Sequence, residues 1–131
     1  MTWVAGRLPE VSEVPATGTA TYVGHVVASI RSGNAEYLAA GNLSNFVNFG
    51  SRTGSATVTG LDGTNYSGPL QMVQNDPRFF NAGLSGNVGG RNLVMNGSFF
   101  RGTSSPVGEM GGNVQLQGTN YQGSGIFAAR R

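Results

Sequence analysis

The sequence contains no cysteine and no lysine, a single histidine, and charged side chains at only 11% of its positions. Without cysteine there are no disulfides, no thiolate metal sites and no thiol nucleophile, so the fold must be held by its core alone. All eight basic residues are arginines (Arg7, Arg31, Arg52, Arg78, Arg91, Arg101, Arg130, Arg131), and against six acids they leave a net charge of +2. They are scattered, with no basic run interleaved with aromatics, so nucleic acid is not an expected partner. No apolar stretch reaches the length of a membrane helix, so no transmembrane segment is expected. The start Met1-Thr2-Trp3 is not a signal peptide, and an export signal is expected to lie outside these residues. The acids Glu10, Glu13, Glu36, Asp62, Asp76 and Glu109 show no paired spacing, and His25 has no evident partner. A catalytic dyad, a metal site and a cofactor are therefore not expected, and the chain reads as a non-enzyme.

Glycine is abundant at 22 residues, and Asn, Ser and Thr fill the polar positions. This alphabet favours strands and tight turns over helices. The 131 residues suit one domain. Residues 1–17 have neither period and read as a leader that packs Trp3 on the domain; residues 18–131 form the domain itself. From Gly18 the chain divides into eight runs, Thr19–Ile30, Tyr37–Phe49, Thr53–Leu61, Asn65–Val73, Arg78–Gly86, Asn92–Phe100, Gly108–Leu116 and Asn120–Ala129, separated by clusters of Gly, Asn, Asp, Ser and Pro. Within the runs, apolar and polar residues alternate with the period of a strand. Ala20, Tyr22, Gly24, Val26, Ala28 and Ile30 share one face of the first run. Leu43, Val47 and Phe49 do so in the second, Leu93, Met95, Gly97 and Phe99 in the sixth, and Tyr121, Gly123, Gly125 and Phe127 in the eighth.

Eight short antiparallel strands with one wetted face fit a closed barrel or a two-sheet sandwich. The barrel is preferred, because the runs carry almost no Glu or Pro, and no Lys, to protect free edges. Its interior is expected to be filled, since eight strands enclose just enough room for side chains. The fold expected is thus an all-β, eight-stranded antiparallel up-and-down barrel with a short N-terminal leader. The near copies Gly63-Thr64-Asn65-Tyr66-Ser67-Gly68 and Gly118-Thr119-Asn120-Tyr121-Gln122-Gly123 read as shared hairpin chemistry rather than a duplicated half-barrel.

Several segments taken in order resemble the β-barrel domain of transferrin-binding-protein-B-like surface lipoproteins. They are Gly18-Thr-Ala-Thr-Tyr22-Val-Gly24-His, Ala40-Gly41-Asn-Leu43 leading to Val47-Asn-Phe49 and Arg52-Thr-Gly54, Gly97-Ser-Phe99-Phe100-Arg-Gly102, Glu109-Met-Gly111-Gly112-Asn-Val114, and Gly125-Ile-Phe127-Ala-Ala-Arg-Arg131. The resemblance implies a filled eight-stranded barrel, secreted, periplasmic or displayed at the surface of a Gram-negative bacterium, which binds a protein or serves as a scaffold. The family's handle domain and its lipidated cysteine have no counterpart in these residues, so binding of transferrin, iron or heparin is not carried over.

Arg78-Phe79-Phe80 and Phe99-Phe100-Arg101 each place two rings in succession, and on a strand one ring of each pair must point outward. Arg78, Phe80, Phe100 and Arg101 are accordingly the expected contact patch for a protein partner, since arginine and aromatic residues anchor interfaces. A small apolar ligand held in a lipocalin-like calyx is the alternative, and would require an open cavity inside the barrel. Glu109 reads as a rim carboxylate accepting backbone or arginine hydrogen bonds.

Overall fold

The computed structural model describes residues 10–73, 75–88, 90–101 and 107–131. After one 3-10 turn at Val11–Glu13, the chain forms eight strands: β1 (Thr19–Ser32), β2 (Ala35–Asn48), β3 (Thr53–Leu61), β4 (Thr64–Met72), β5 (Phe79–Gly86), β6 (Asn92–Phe100), β7 (Glu109–Gly118) and β8 (Tyr121–Arg130). Each pairs antiparallel with the next, and β8 returns to β1 from Val23↔Arg130 to Ser32↔Tyr121, closing the barrel. Closure excludes the sandwich. Every run expected from alternation is a strand, but the first hairpin is longer than its polar composition suggests. β1 and β2 continue to the two-residue turn Gly33–Asn34, because Ser32 and Ala35 still pair.

The inward positions are those the two-residue period picks out. Tyr22, Val26, Ala28, Ile30, Leu43, Val47, Phe49, Leu93, Met95, Phe99 and Phe127 are all buried in one apolar cluster. Phe99 of β6 lies 5.8 Å from Tyr22 of β1, 5.7 Å from Phe49 after β2 and 5.2 Å from Phe80 of β5, ring centre to ring centre. These tilted contacts reach from one wall to the other across the end of the barrel where β2 and β6 finish, as a filled barrel requires and a calyx open there does not allow. Besides Thr64 at the start of β4, Asn45 is a polar exception among the inward side chains. It is fully buried, donates from Nδ2 to Met110 Sδ at 3.1 Å, and leaves Oδ1 without a partner.

The two Gly-Thr-Asn-Tyr copies do different work. In the first, Asp62 and Gly63 form the two-residue turn with φ of 51° and 71°, closed by Leu61↔Thr64. In the second the turn is Thr119–Asn120, closed by Gly118↔Tyr121. The motif is displaced by two residues against the turn, which is what shared hairpin chemistry produces and a duplicated half-barrel would not.

Candidate functional site

The strand ends that lead out of β2, β4 and β6, residues 10–18 and the C-terminus gather at one end of the barrel; the strand ends joined by the hairpins after β1, β3, β5 and β7 gather at the other. The expected patch belongs to the leader end. There Asp76 and Arg78 form a two-pronged pair, Arg78 Nε donating to Oδ1 at 2.8 Å and a terminal nitrogen to Oδ2 at 2.7 Å. These bonds hold the Asp76 carboxyl below its usual range. They also fix the Arg78 guanidinium 5.8 Å from the centre of the Phe79 ring.

The outward ring is Phe79 and not Phe80. Phe80 is 2% exposed, inside the barrel against Phe99 and Phe127, whereas Phe79 is 37% exposed. The reason is parity: Phe80 lies in phase with buried Ala82 and Leu84, so the outer face of β5 begins at Phe79. Phe79 pairs with Ser98, which makes half-buried Phe100 its diagonal neighbour on the outer wall. Ser98, between the two rings, is 8% exposed. Arg101 turns to the leader and pairs with Glu13. The rim therefore presents Arg78, Phe79 and the edge of Phe100, while Arg101 ties the leader to the barrel. The expected position of Trp3 lies outside the described residues.

At the hairpin end a polar cluster closes the barrel, and alternation gave no sign of it. Asp62 Oδ2 accepts hydrogen bonds from Tyr37 at 2.6 Å and Tyr121 at 2.8 Å. Arg91 donates to the Thr64 hydroxyl at 2.7 Å and stacks 3.9 Å from the centre of the Tyr121 ring. Tyr66 brings a buried hydroxyl that makes no hydrogen bond in this arrangement. Burial first, then the bond to Asp62, pushes the Tyr121 hydroxyl above its ordinary range. Apart from the Tyr66 hydroxyl, the cluster spends its polar groups on one another, which suits a plug better than a binding site. Replacing Asp62 by Ala should remove the acceptor of two tyrosines and put a Cβ-bearing residue without a polar side chain at φ 51°. The expected loss in urea unfolding is about 2 kcal/mol. Asp62→Asn should lose less, since asparagine tolerates the left-handed backbone and keeps one oxygen.

The outer wall from β4 to β8 is rich in neutral carboxamides. Gln71, Asn81, Asn96 and Asn113 stand opposite one another on four adjacent strands, all exposed. A wall of amides and hydroxyls is not the apolar band of an outer-membrane barrel. No helix is long and apolar enough to cross a membrane among the described residues. His25 lies on the outer wall beside a shallow depression also lined by Glu109 and Arg130. Glu109 stands opposite Arg130 in the ladder. No group of three or more metal-ligating side chains forms among the described residues.

No family model matches the sequence, and no curated protein does. Solved structures do. Transferrin-binding protein B from Haemophilus parasuis Hp5, the Trp-176-Ala mutant of a vaccine antigen, superposes over 94% of this chain with a TM-score of 0.73 and 18% identity. This barrel has the fold of part of transferrin-binding protein B. Intact Ap-TbpB, with its N and C lobes, gives a TM-score of 0.72 at 17% identity over 95% of the chain. A structure described as a surface lipoprotein gives 0.68 at 11% identity, and there the matched region is 65% of the other chain. The chain spans only 28% of each of the two transferrin-binding proteins. The likeness expected from the sequence motifs is thus present as a shared barrel.

Proposed function

We propose that the chain is a non-catalytic, extracytoplasmic binding or scaffold module of a bacterial surface protein, and that it engages a protein partner through the leader-end rim of Arg78, Phe79 and Phe100. The observation that carries this reading is the cross-barrel packing of Phe99, which leaves the outer surface for recognition. The named folds support it, since transferrin-binding protein B is by its name a protein that binds a protein. The placement of the acids supports the absence of catalysis: Asp62, Asp76 and Glu13 are each engaged by tyrosine or arginine in contacts that hold turns and leader in place.

At the rim, a half-exposed ring stacked by a guanidinium offers apolar area and directed donors together, the composition of an interface anchor. The test is capture by the immobilised chain from bacterial outer-membrane extract and from host serum. Phe79→Ala should lower recovery of a captured protein at least about tenfold while leaving the thermal unfolding midpoint unchanged. Ser85→Ala, on the outer wall of β5, should not alter it. Undiminished capture by both Phe79→Ala and Phe100→Ala would remove the rim from consideration.

A further inference from the structure

The barrel closes between β1 and β8, yet one stretch of strand edge stays open. The Phe49 N–H donates to the Gly18 carbonyl at 2.9 Å, and this sets the phase of the β1–β2 ladder. Ser32–Ala35, Ile30–Tyr37 and Ala28–Ala39 are then the pairs that exchange backbone bonds. Glu36, Leu38 and Ala40 turn their N–H and C=O groups away from β1. β3 meets β2 only from Asn42 onward, opposite Thr59. Just beyond, Gly60 at φ 70° takes β3 out of the ladder, and its hairpin bends across the barrel mouth so that Asp62 reaches Tyr37 and Tyr121. The β2–β3 ladder reaches none of these three N–H and three C=O groups, which are left on an open edge.

Edges of this kind are ordinarily blunted by lysine, proline, a bulge or a covering element. This one carries a single charge, Glu36, placed 3.8 Å from Arg31 of the neighbouring strand. At its centre stands Leu38, 76% exposed, the most exposed large apolar side chain among the described residues. The same outer face adds Ala40 and Val27, which pair with each other, and Val27 is 45% exposed.

We propose that a second copy of the chain adds to this edge, β2 against β2, antiparallel about a two-fold axis at Leu38. The segment is self-complementary in that register. Leu38 faces Leu38 of the other copy, and Glu36 of each copy faces Ala40 of the other, so every free N–H and C=O on the edge meets a partner. The two glutamates lie at opposite ends of the paired stretch, each across from an alanine, and like charges do not meet. A shift by two residues leaves groups unpaired and sets Leu38 against Glu36 in one direction and against Ala40 in the other. The edge belongs to the hairpin end, so this inference stands or falls separately from the rim at Phe79.

The test uses sedimentation velocity and cross-linking on the intact chain, whose lack of cysteine makes single thiols unambiguous. Directly opposed residues in a hydrogen-bonded antiparallel pair lie within disulfide reach, about 5.5 Å between Cα atoms. Leu38→Cys should therefore give a covalent dimer under mild oxidation. Glu36→Cys alone should not, whereas Glu36→Cys combined with Ala40→Cys should. Leu38→Lys places two ammonium groups face to face and is expected to weaken the dimer at least about tenfold with an unchanged unfolding transition. A chain that sediments as a monomer at every concentration overturns the proposal, as does cross-linking of Glu36→Cys as readily as Leu38→Cys. Capture of an unrelated extended peptide with no self-association would also overturn it.

Discussion

Gly125→Ala and Gly24→Ala should each destabilise the barrel by about 3 kcal/mol or more. Both glycines face inward at the seam where the last strand meets the first. An ideal Cβ on Gly125 would stand 2.0 Å from the Val27 carbonyl oxygen, and one on Gly24 would stand 1.9 Å from that of Ala128. The obstruction is main chain on the partner strand, so no rotamer change relieves it. The strands would have to separate where their ladder makes the barrel continuous. The same close approach recurs at Gly54, Gly68 and Gly112, where the Cβ would lie within 2.1 Å of a carbonyl oxygen on the adjacent strand. Small residues at inward positions let a sheet coil tightly enough to close. Gly83→Ala is the control: it lies on the outer face with nothing within 4 Å of an added Cβ. That variant should match the parent or gain up to about 1 kcal/mol from reduced chain entropy. Urea titration followed by far-UV circular dichroism separates the cases. A Gly125→Ala protein within about 0.5 kcal/mol of the parent would show that the seam gives way easily.

Those glycines mark how far the sequence could be read. Strand positions and inward faces followed from alternation, because a closed barrel buries every second residue and nothing in this chain competes with that period. Alternation also contains the orientation of Phe80, in phase with Ala82 and Leu84, whereas the doubled Phe79-Phe80 taken alone does not say which ring points outward. Asn45 falls on the inward set, but its polarity gives no sign of burial; its methionine partners come from β6 and β7, far along the chain. The Asp62 cluster was hidden for a different reason. Tyr37, Asp62, Arg91 and Tyr121 are spread over 85 positions and meet only because four hairpins share one end of the barrel. Asp62-Gly63 was legible as a turn, since both residues take left-handed backbone there, but no local pattern announces which side chains a turn carboxylate will gather. The open edge of β2 is likewise a matter of where β3 leaves the ladder, and composition does not reveal it.

The tyrosines give the second large effect, at high pH. The chain has four, and in all of them the hydroxyl is held above the ordinary value of 10.0. For Tyr22 the cause is burial, with the hydroxyl donating to the Val107 carbonyl at 2.5 Å. Burial also dominates for Tyr66 and Tyr121, and for Tyr37 the leading cause is its bond to Asp62. In the unfolded chain these phenols ionise near 10.0, so above that pH the unfolded state sheds protons that the native state keeps. The stabilisation is therefore complete below about pH 10 and is lost as the pH climbs toward the raised native values. Phenolate absorbance should lag behind that of free tyrosine and then rise steeply, together with the loss of strand circular dichroism, because unfolding is what releases the protons. After a jump to about pH 11, the absorbance should grow at the rate of unfolding rather than at once. Asp62→Ala breaks this coincidence from one side. Tyr37, the most accessible of the four, loses the bond that raises it and should ionise early, in a step that precedes unfolding. Four phenolates forming together near pH 10 with the barrel intact would mean that the hydroxyls are not held as the geometry of Tyr22 and Asp62 requires.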